Sequence, residues 1–488
     1  MNRLVISALI TSTLVLSACA DDDDDLTASG SSPSAADTPS ATPTPTGALL
    51  DSAFGTAGIV KAALVSGAKD RFNAVAVGKD GKIYAAGLTS EGPDQKIAVA
   101  RFSTSGTKDT TFGDGGVASV NVSPNSNTDP TTQLEQARSL VFLEDGTVVA
   151  VGTAEHDAKA TGEAAKDTDV VAVAFDSAGK PVSDFGTDGV ARFDVGTGHE
   201  ISEDGEAAWV GADQGYGSAA LPDGGGLVIF GVTTAGSDRE DTDFVLLGVD
   251  DDGELDDDFG DDGVLKIDRE QADNARHVQV VGDKLVATGY SRYSNGDKET
   301  VQPVLIRTSL DGELDKTFDD DGIATHDGLG AVAESYQFGV QGDKYVLTGY
   351  GKANDADKVD LIAYRFTNDG EFDTTFGENG VTRIDITGED DRGRNLAVVG
   401  DRIVYVGSGK VDGSNQEAMV VVLDKDGKRD TAYGADGVIL TDLGTPGDAW
   451  YGVAVAPDGK TVYLAGYTNI SNDSVTADDA VLGRLTLS

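Results

Sequence analysis

From Ala48 onward, short runs of alternating apolar and polar residues follow one another with turn residues between them. Asn73-Ala-Val-Ala-Val77 alternates, Asp80-Gly81 turns, Lys82-Ile-Tyr-Ala-Ala-Gly87 returns, and Lys96-Ile-Ala-Val-Ala-Arg-Phe102 follows. Period two places successive side chains on opposite faces of a strand, and an Asp-Gly step between two such runs is a hairpin signal. The step recurs at Asp145-Gly146, Asp223-Gly224, Gly282-Asp283, Gly342-Asp343, Gly400-Asp401 and Asp458-Gly459, and each returning run ends in glycine: Gly87, Gly152, Gly231, Gly289, Gly349, Gly407 and Gly466. No stretch of this region sustains helical periodicity.

A second phrase closes each unit, and its clearest copy is Gly106-Thr-Lys-Asp-Thr-Thr-Phe-Gly-Asp-Gly-Gly-Val117. Its aromatic recurs as Phe54, Phe112, Phe185, Phe259, Phe318, Phe376 and Tyr433, at intervals from 57 residues (Phe376 to Tyr433) to 74 (Phe185 to Phe259). A fixed period of this size marks a solenoid, a propeller or an array. The phrase reads as a tight corner, with glycine free to take positive φ and the aromatic ring placed to plug between neighbouring units. Val182 stands where Asp109 does, and Asp319 where Gly113 does, a tolerance that suits packing better than catalysis.

With the strand after the corner, such as Val117 to Val120, each unit supplies four short strands. The expected fold is all-β: a seven-bladed β-propeller of four-stranded antiparallel blades over residues 47–488. The first unit begins in mid-phrase and the last stops after three strands, so residues 58–64 are expected to pair with 480–487 and close the last blade. The Gly-x-x-Asp-x-x-Phe-Gly-x-x-Gly phrase, with its preceding Ala-Arg-Phe strand, resembles the delta-60 repeat family of bacterial propeller proteins. That resemblance implies the fold and carries no agreed activity.

Before the body, Asn2-Arg3, the apolar run Leu4 to Leu16 and the small residues before Cys19 form a secretory signal over residues 1–18. Leu16-Ser-Ala-Cys19 resembles the lipobox of bacterial lipoproteins, which implies cleavage before Cys19 and lipidation of that residue. Cys19 is the one cysteine in 488 residues, so disulfides and thiolate chemistry are excluded from the body. Residues 19–46, rich in Asp, Ser, Thr, Pro and Ala, are expected to be a disordered tether reaching roughly 30 Å. The implied location is the bacterial cell envelope, anchored to the outer or the cytoplasmic membrane by lipid alone.

Charge narrows the partners. The chain carries 84 Asp and Glu against 37 Lys and Arg, a net −47, which disfavours nucleic acid. Asp250 to Asp258 and Asp424 to Asp430 are dense enough in carboxylates to hold calcium, but they lack the spacing of a calcium loop and are read as solvated turns, leaving no expected cofactor or metal. The four histidines, His156, His199, His277 and His326, fall in no metal-ligand spacing, and no nucleophile elbow or phosphate-binding loop is present.

A unique site should lie where the copies differ. Aligning units on the hairpin brings Phe72-Asn73, Ala137-Arg138, Gly215-Tyr216, Arg276-His277, Tyr336-Gln337, Arg394-Asn395 and Trp450-Tyr451 to one place, the entry of the first strand. If that strand is innermost, Arg138, Tyr216, Arg276, His277, Tyr336, Arg394, Trp450 and Tyr451 converge at one mouth of the channel. Arginines and aromatics suit binding, here of a carboxylate, sulfate or sugar acid. The competing reading is that each packs on the next blade or pairs with a neighbouring Asp, such as Asp391 beside Arg394. Insertions in the second and third units (Asn121 to Glu135, Ala154 to Asp169, Gly196 to Gly215) offer a second place, with His199 and Trp209. These readings point to a monomeric, non-catalytic binding or scaffolding module for an envelope protein or glycan. The alternatives are a carbohydrate lyase or hydrolase at the channel mouth and a calcium-stabilised adhesin.

Overall fold

The computed structural model describes residues 49–487, apart from 66–67, 92–93, 125–134, 157–166, 197–198, 204–205, 211–212, 236–240, 270, 296–297, 413–414 and 470–477. The signal segment, Cys19 and the expected tether lie outside the described residues. Among these, no helix is long and apolar enough to cross a membrane.

Strand β1 (Ile59–Ala62) precedes a series of four-strand antiparallel units. The first is β2 (Arg71–Val77), β3 (Ile83–Glu91), β4 (Asp94–Phe102) and β5 (Val117–Val120); the next is β6 (Gln136–Phe142), β7 (Val148–Glu155), β8 (Thr168–Phe175) and β9 (Val190–Phe193). After a separate hairpin, β10 (His199–Glu203) and β11 (Glu206–Val210), come β12 (Gln214–Ala220), β13 (Leu227–Thr234), β14 (Thr242–Val249) and β15 (Val264–Ile267). Then follow β16 (Ala272–Val281), β17 (Lys284–Asn295), β18 (Lys298–Ser309) and β19 (Ile323–Thr325). The short β20 (Val332–Ala333) leads into β21 (Gln337–Gln341), β22 (Lys344–Lys352), β23 (Asp360–Phe366) and β24 (Val381–Ile384). The series ends with β25 (Asp391–Val399), β26 (Arg402–Asp412), β27 (Asn415–Leu423) and β28 (Val438–Thr441), then β29 (Gly447–Val455), β30 (Thr461–Asn469) and β31 (Asp478–Thr486). Two pairs of units merge into larger mixed sheets through single parallel pairings, Val301 with Val332 and Gln416 with Gly447.

The expected closure is present: β1 lies antiparallel on β31, with Ile59 opposite Gly483 and Ala62 opposite Ala480. The leading strands complete a circuit, β2 against β6, β6 against β12, β12 against β16, β16 against β21, β21 against β25, β25 against β29, and β29 back against β2. Apolar side chains therefore gather between units and not in one centre. Each cluster is shared by two neighbours and holds one repeated aromatic, as Phe112 does between the β3–β4 and β7–β8 faces. The remaining anchors, Phe54, Phe185, Phe259, Phe318, Phe376 and Tyr433, are equally buried. Burying such a ring contributes about 2 to 3 kcal/mol.

The corner phrase also carries polar mortar. Arg101, the arginine of the Ala-Arg-Phe strand, donates to Asp109 at 2.9 Å, lies 4.7 Å over the Phe112 ring, and donates to the Ser177 carbonyl of the next unit at 2.6 Å. Arg365 repeats this with Asp373, Phe376 and the Lys425 carbonyl, and Arg484 with Asp51, Phe54 and the Thr104 carbonyl. In the second unit, where Val182 replaces the aspartate, Ala174 occupies the arginine's place, so both charges are missing together. What persists there is the backbone link from the Gly186 amide to the Asp252 carbonyl at 2.6 Å. Asp319 at the Gly113 position keeps a positive φ of 45°, but the small bridge that closes the other corners is replaced by a turn from the Asp321 amide to the Asp319 carbonyl.

One sequence expectation needs correction. The returning strands do not end at their glycines. β3 runs past Gly87 to Glu91 and β17 past Gly289 to Asn295, because each glycine sits opposite a distortion in the leading strand.

Candidate functional site: a ring of bulged residues

That distortion is a β-bulge at the same place in successive leading strands. The register slips between Phe72 and Ala74, Ala137 and Ser139, Gly215 and Gly217, Ala275 and His277, Gly393 and Asn395, and Trp450 and Gly452. The extra residues are Asn73, Arg138, Tyr216, Arg276, Arg394 and Tyr451. In the remaining unit Tyr336 takes this place, its amide donating to the Thr348 carbonyl just ahead of β21. A bulge turns its extra side chain out of the alternation of the strand. The glycine opposite makes it possible: a Cβ on Gly152 would stand 1.9 Å from the Gln136 carbonyl oxygen, and one on Gly349 2.0 Å from that of Glu334.

The bulged side chains meet across unit boundaries. The Arg138 guanidinium lies 4.5 Å from the centre of the Tyr216 ring, and Arg276 lies 4.8 Å from Tyr216 and 4.6 Å from Tyr336. Arg394 lies 5.1 Å from both Tyr336 and Tyr451. Arginine and tyrosine thus alternate from Arg138 to Tyr451, and Asn73 fills the remaining place, donating to the Ala137 carbonyl at 2.9 Å. Tyrosines of the second strands thicken the ring: Tyr290 accepts from Arg276 Nη2 at 2.9 Å, and Tyr350 shares a 3.0 Å hydrogen bond with Tyr336. Burial pushes the Tyr290 and Tyr350 phenols well above their ordinary range, so both are neutral at physiological pH.

Six of the eight expected site residues therefore converge, and two do not. Trp450 is fully buried one residue before the bulge, in the apolar cluster between the last two units, with its ring against Gly483. Its place in the pleat faces the neighbouring sheet, which makes it a core residue. His277, one residue after the bulge, also faces sideways, 5.4 Å from the Phe338 ring, and burial pushes its imidazole down to about 3. Asp391 does not pair with Arg394 in the way the competing reading required; it binds the Ile386 and Thr387 amides.

Asp391 belongs to a set that sequence reasoning missed. A buried carboxyl stands three residues ahead of most bulges: Asp70, Glu135, Asp213, Asp273, Asp391 and Asp448. Several grip the loop arriving from the previous unit. Asp70 Oδ2 accepts from the Leu64 and Val65 amides, Asp213 Oδ2 from Val195 and Gly196, and Asp448 Oδ2 from Leu443. Burial raises Glu135 and Asp273 to about 8, Asp213 to about 7 and Asp391 to about 6. The signal was an acid at fixed distance from the variable position, hidden in a chain full of acids.

The Asp-rich turns fold back on themselves. Asp250 accepts from the Asp252 and Glu254 amides, and Asp424 from those of Asp426 and Lys428. At the second and third units, a cleft of about 1070 Å³ is lined by residues including Val190, Arg192, Asp194 and Leu255. Beside it His156 Nδ1 lies 2.8 Å from Asp169, whose hydrogen bond raises the imidazole pKa. His199 and Trp209 face each other's strands in β10–β11 as backbone; their side chains lie outside the described residues.

A family described as "Domain of unknown function (DUF5122) beta-propeller" matches residues 78–112 and 341–376, each running from a hairpin turn through the corner aromatic. The protein is a β-propeller. Among solved structures, this propeller is similar to polysaccharide lyase Uly1 at 10% identity and a TM-score of 0.50, covering 86% of this chain and 90% of that one. It is also similar to Drosophila Semaphorin 2a at 9% identity and 0.45, covering 92% and 76%. A Dyadobacter fermentans protein of unknown function shares 12% identity at 0.38, covering 88% and 100%. At these identities the likeness concerns the fold alone. No curated protein matches the chain.

Proposed function

We propose that this propeller is a binding module of the bacterial cell envelope that captures a protein or glycan at its arginine–tyrosine ring. The observation that carries the reading is the alternation of Arg138, Tyr216, Arg276, Tyr336, Arg394 and Tyr451 at equivalent bulges, where the repeated architecture is constant and the chemistry is not. In this reading the propeller has seven blades, counting β29–β31 with β1 as the last. Its repeats are of the delta-60 kind, and it works as a monomer without nucleic acid, held to a membrane by lipid on Cys19. The test is capture from envelope extracts by the full chain and by an Arg138→Gln, Arg276→Gln, Arg394→Gln triple variant. The wild type should retain a partner that the triple variant loses while still folding, its stability lowered by only about 1 kcal/mol per arginine. Equal capture by both would remove the ring from the reading. Cys19→Ala should shift the protein from the detergent phase to the aqueous phase.

A second reading, a carbohydrate-active lyase or hydrolase, is favoured by a different observation. His156, oriented by Asp169, stands near Asp194 and Arg192 at the wall of the cleft, a base and an acid within reach of one another. Turnover of an acidic polysaccharide by the full chain, abolished in His156→Ala, would establish it in place of the first.

A further inference from the structure

We infer that the ring recognises an anionic sugar, a uronate or a sulfated saccharide, with guanidinium groups meeting its charge and phenols meeting its ring faces and hydroxyls. This rests on the reading of the ring as the binding site.

Arg276 carries the argument. An arginine keeps its charge at any physiological pH. Among the described residues no carboxylate lies within ion-pair distance of Arg276; its partners are the Ala275 carbonyl and the hydroxyls of Tyr290 and Tyr336. It is enclosed by the rings of Tyr216, Tyr290 and Tyr336, at 4.8, 5.0 and 4.6 Å. Burial keeps the Tyr290 phenol neutral, and all three rings hold the cation by their π faces, which does not cancel its charge. In a chain of net −47, where the corner arginines Arg101, Arg307 and Arg365 each meet an aspartate, a guanidinium surrounded by aromatic rings with no carboxylate beside it is an exception with a direction. It leaves positive charge to be met by an incoming anion.

The spacing of the ring selects among anions. Cation and aromatic alternate, so a ligand that presents an acid group beside a hydroxylated ring with an apolar C–H face matches two neighbouring positions at once. A bare oxyanion matches one. The acidic exterior repels long polyanions at a distance, which favours a short acidic saccharide or the end of a chain over nucleic acid.

The experiment is calorimetric titration of the full chain with three oligosaccharides of equal length: glucuronate-containing, sulfated and neutral. The inference expects one or both acidic probes to bind at least about tenfold more tightly than the neutral one, with affinity falling as salt is raised. Arg276→Gln should lose that preference, while Tyr336→Phe, which keeps the ring face, should retain most of it. Should Arg276→Gln fold poorly by its melting temperature, Arg394→Gln serves the same purpose. Equal binding of neutral and acidic probes, or an acidic preference that survives both arginine substitutions, overturns the anionic-sugar inference while leaving a binding ring. No binding of any probe also overturns it. Capture of an envelope protein by the wild type and not by the triple variant would then preserve the broader reading.

Discussion

The corner and the bulge are both repeated in every unit, yet they have been filled in opposite ways. At the corner the aromatic recurs in every unit, and in four of them an arginine, Arg101, Arg307, Arg365 or Arg484, lies over its ring and ties it to a carbonyl of the next unit. At the bulge the backbone recurs and the side chain alternates between arginine and tyrosine, with one asparagine. Sameness at the corner is what closing a ring requires; difference at the bulge is what the proposed binding role requires. The glycine opposite each bulge belongs to the first category although it serves the second.

That distinction can be broken most severely at this glycine. Gly349→Val should prevent folding or cost roughly 4 kcal/mol or more, since the Cβ would meet the Glu334 carbonyl oxygen at 2.0 Å; circular dichroism and thermal melting would show it. Next in size, Trp450→Ala should cost about 3 to 5 kcal/mol in a denaturant titration, as loss of a fully buried ring does, whereas Arg276→Gln in the ring should change stability by about 1 kcal/mol. Equal effects of the two would erase the line between core and ring. Arg365→Ala should cost about 1 to 3 kcal/mol, because it removes the tie to the Lys425 carbonyl and one of the two cations on Asp373, where Lys344 remains at 2.6 Å; Ala174, at the equivalent place in the second unit, predicts that the loss is survivable.

A further test concerns pH. Glu135, Asp213, Asp273 and Asp391 hold their protons in the fold at pH values where the unfolded chain has released them. Their contribution is whole below the ordinary carboxyl pKa of about 4 and is lost as pH rises through the folded values of about 6 to 8. The melting temperature should therefore be higher at about pH 5 than at about pH 8. Asp273→Asn, which keeps the shape and removes the charge, should flatten part of that slope. A melting temperature that rises with pH over this range would contradict the burial of these groups.

The hairpins, the aromatic plug and the pairing of residues 59–62 with 480–483 were legible in the sequence, because each rests on local turn chemistry or on a copy seen elsewhere in the chain, whereas the β10–β11 hairpin and β20, which have no copy, were not. The convergence of Arg138, Tyr216, Arg276, Tyr336, Arg394 and Tyr451 was legible once the units were aligned. Trp450 and His277 were misplaced because a bulge shifts the pleat by one residue: a two-residue window then includes one side chain aimed inward and one aimed at the neighbouring sheet. The buried carboxyls were illegible for another reason. In a chain with 84 acids, position relative to the bulge distinguishes them, and the bulge itself is visible only in the pairing register.

The pairing of β1 with β31 has a consequence for how the molecule comes into being. A chain delivered from its amino end holds Ile59 ready long before Gly483 is synthesised, so the first strand must wait, unpaired, for almost the entire length of translation. The entropy of joining such distant segments grows only slowly with their separation, about 0.6 kcal/mol per doubling, but the delay is one of time. Until the last segment arrives, the waiting strand is an unpaired edge open to non-native pairing.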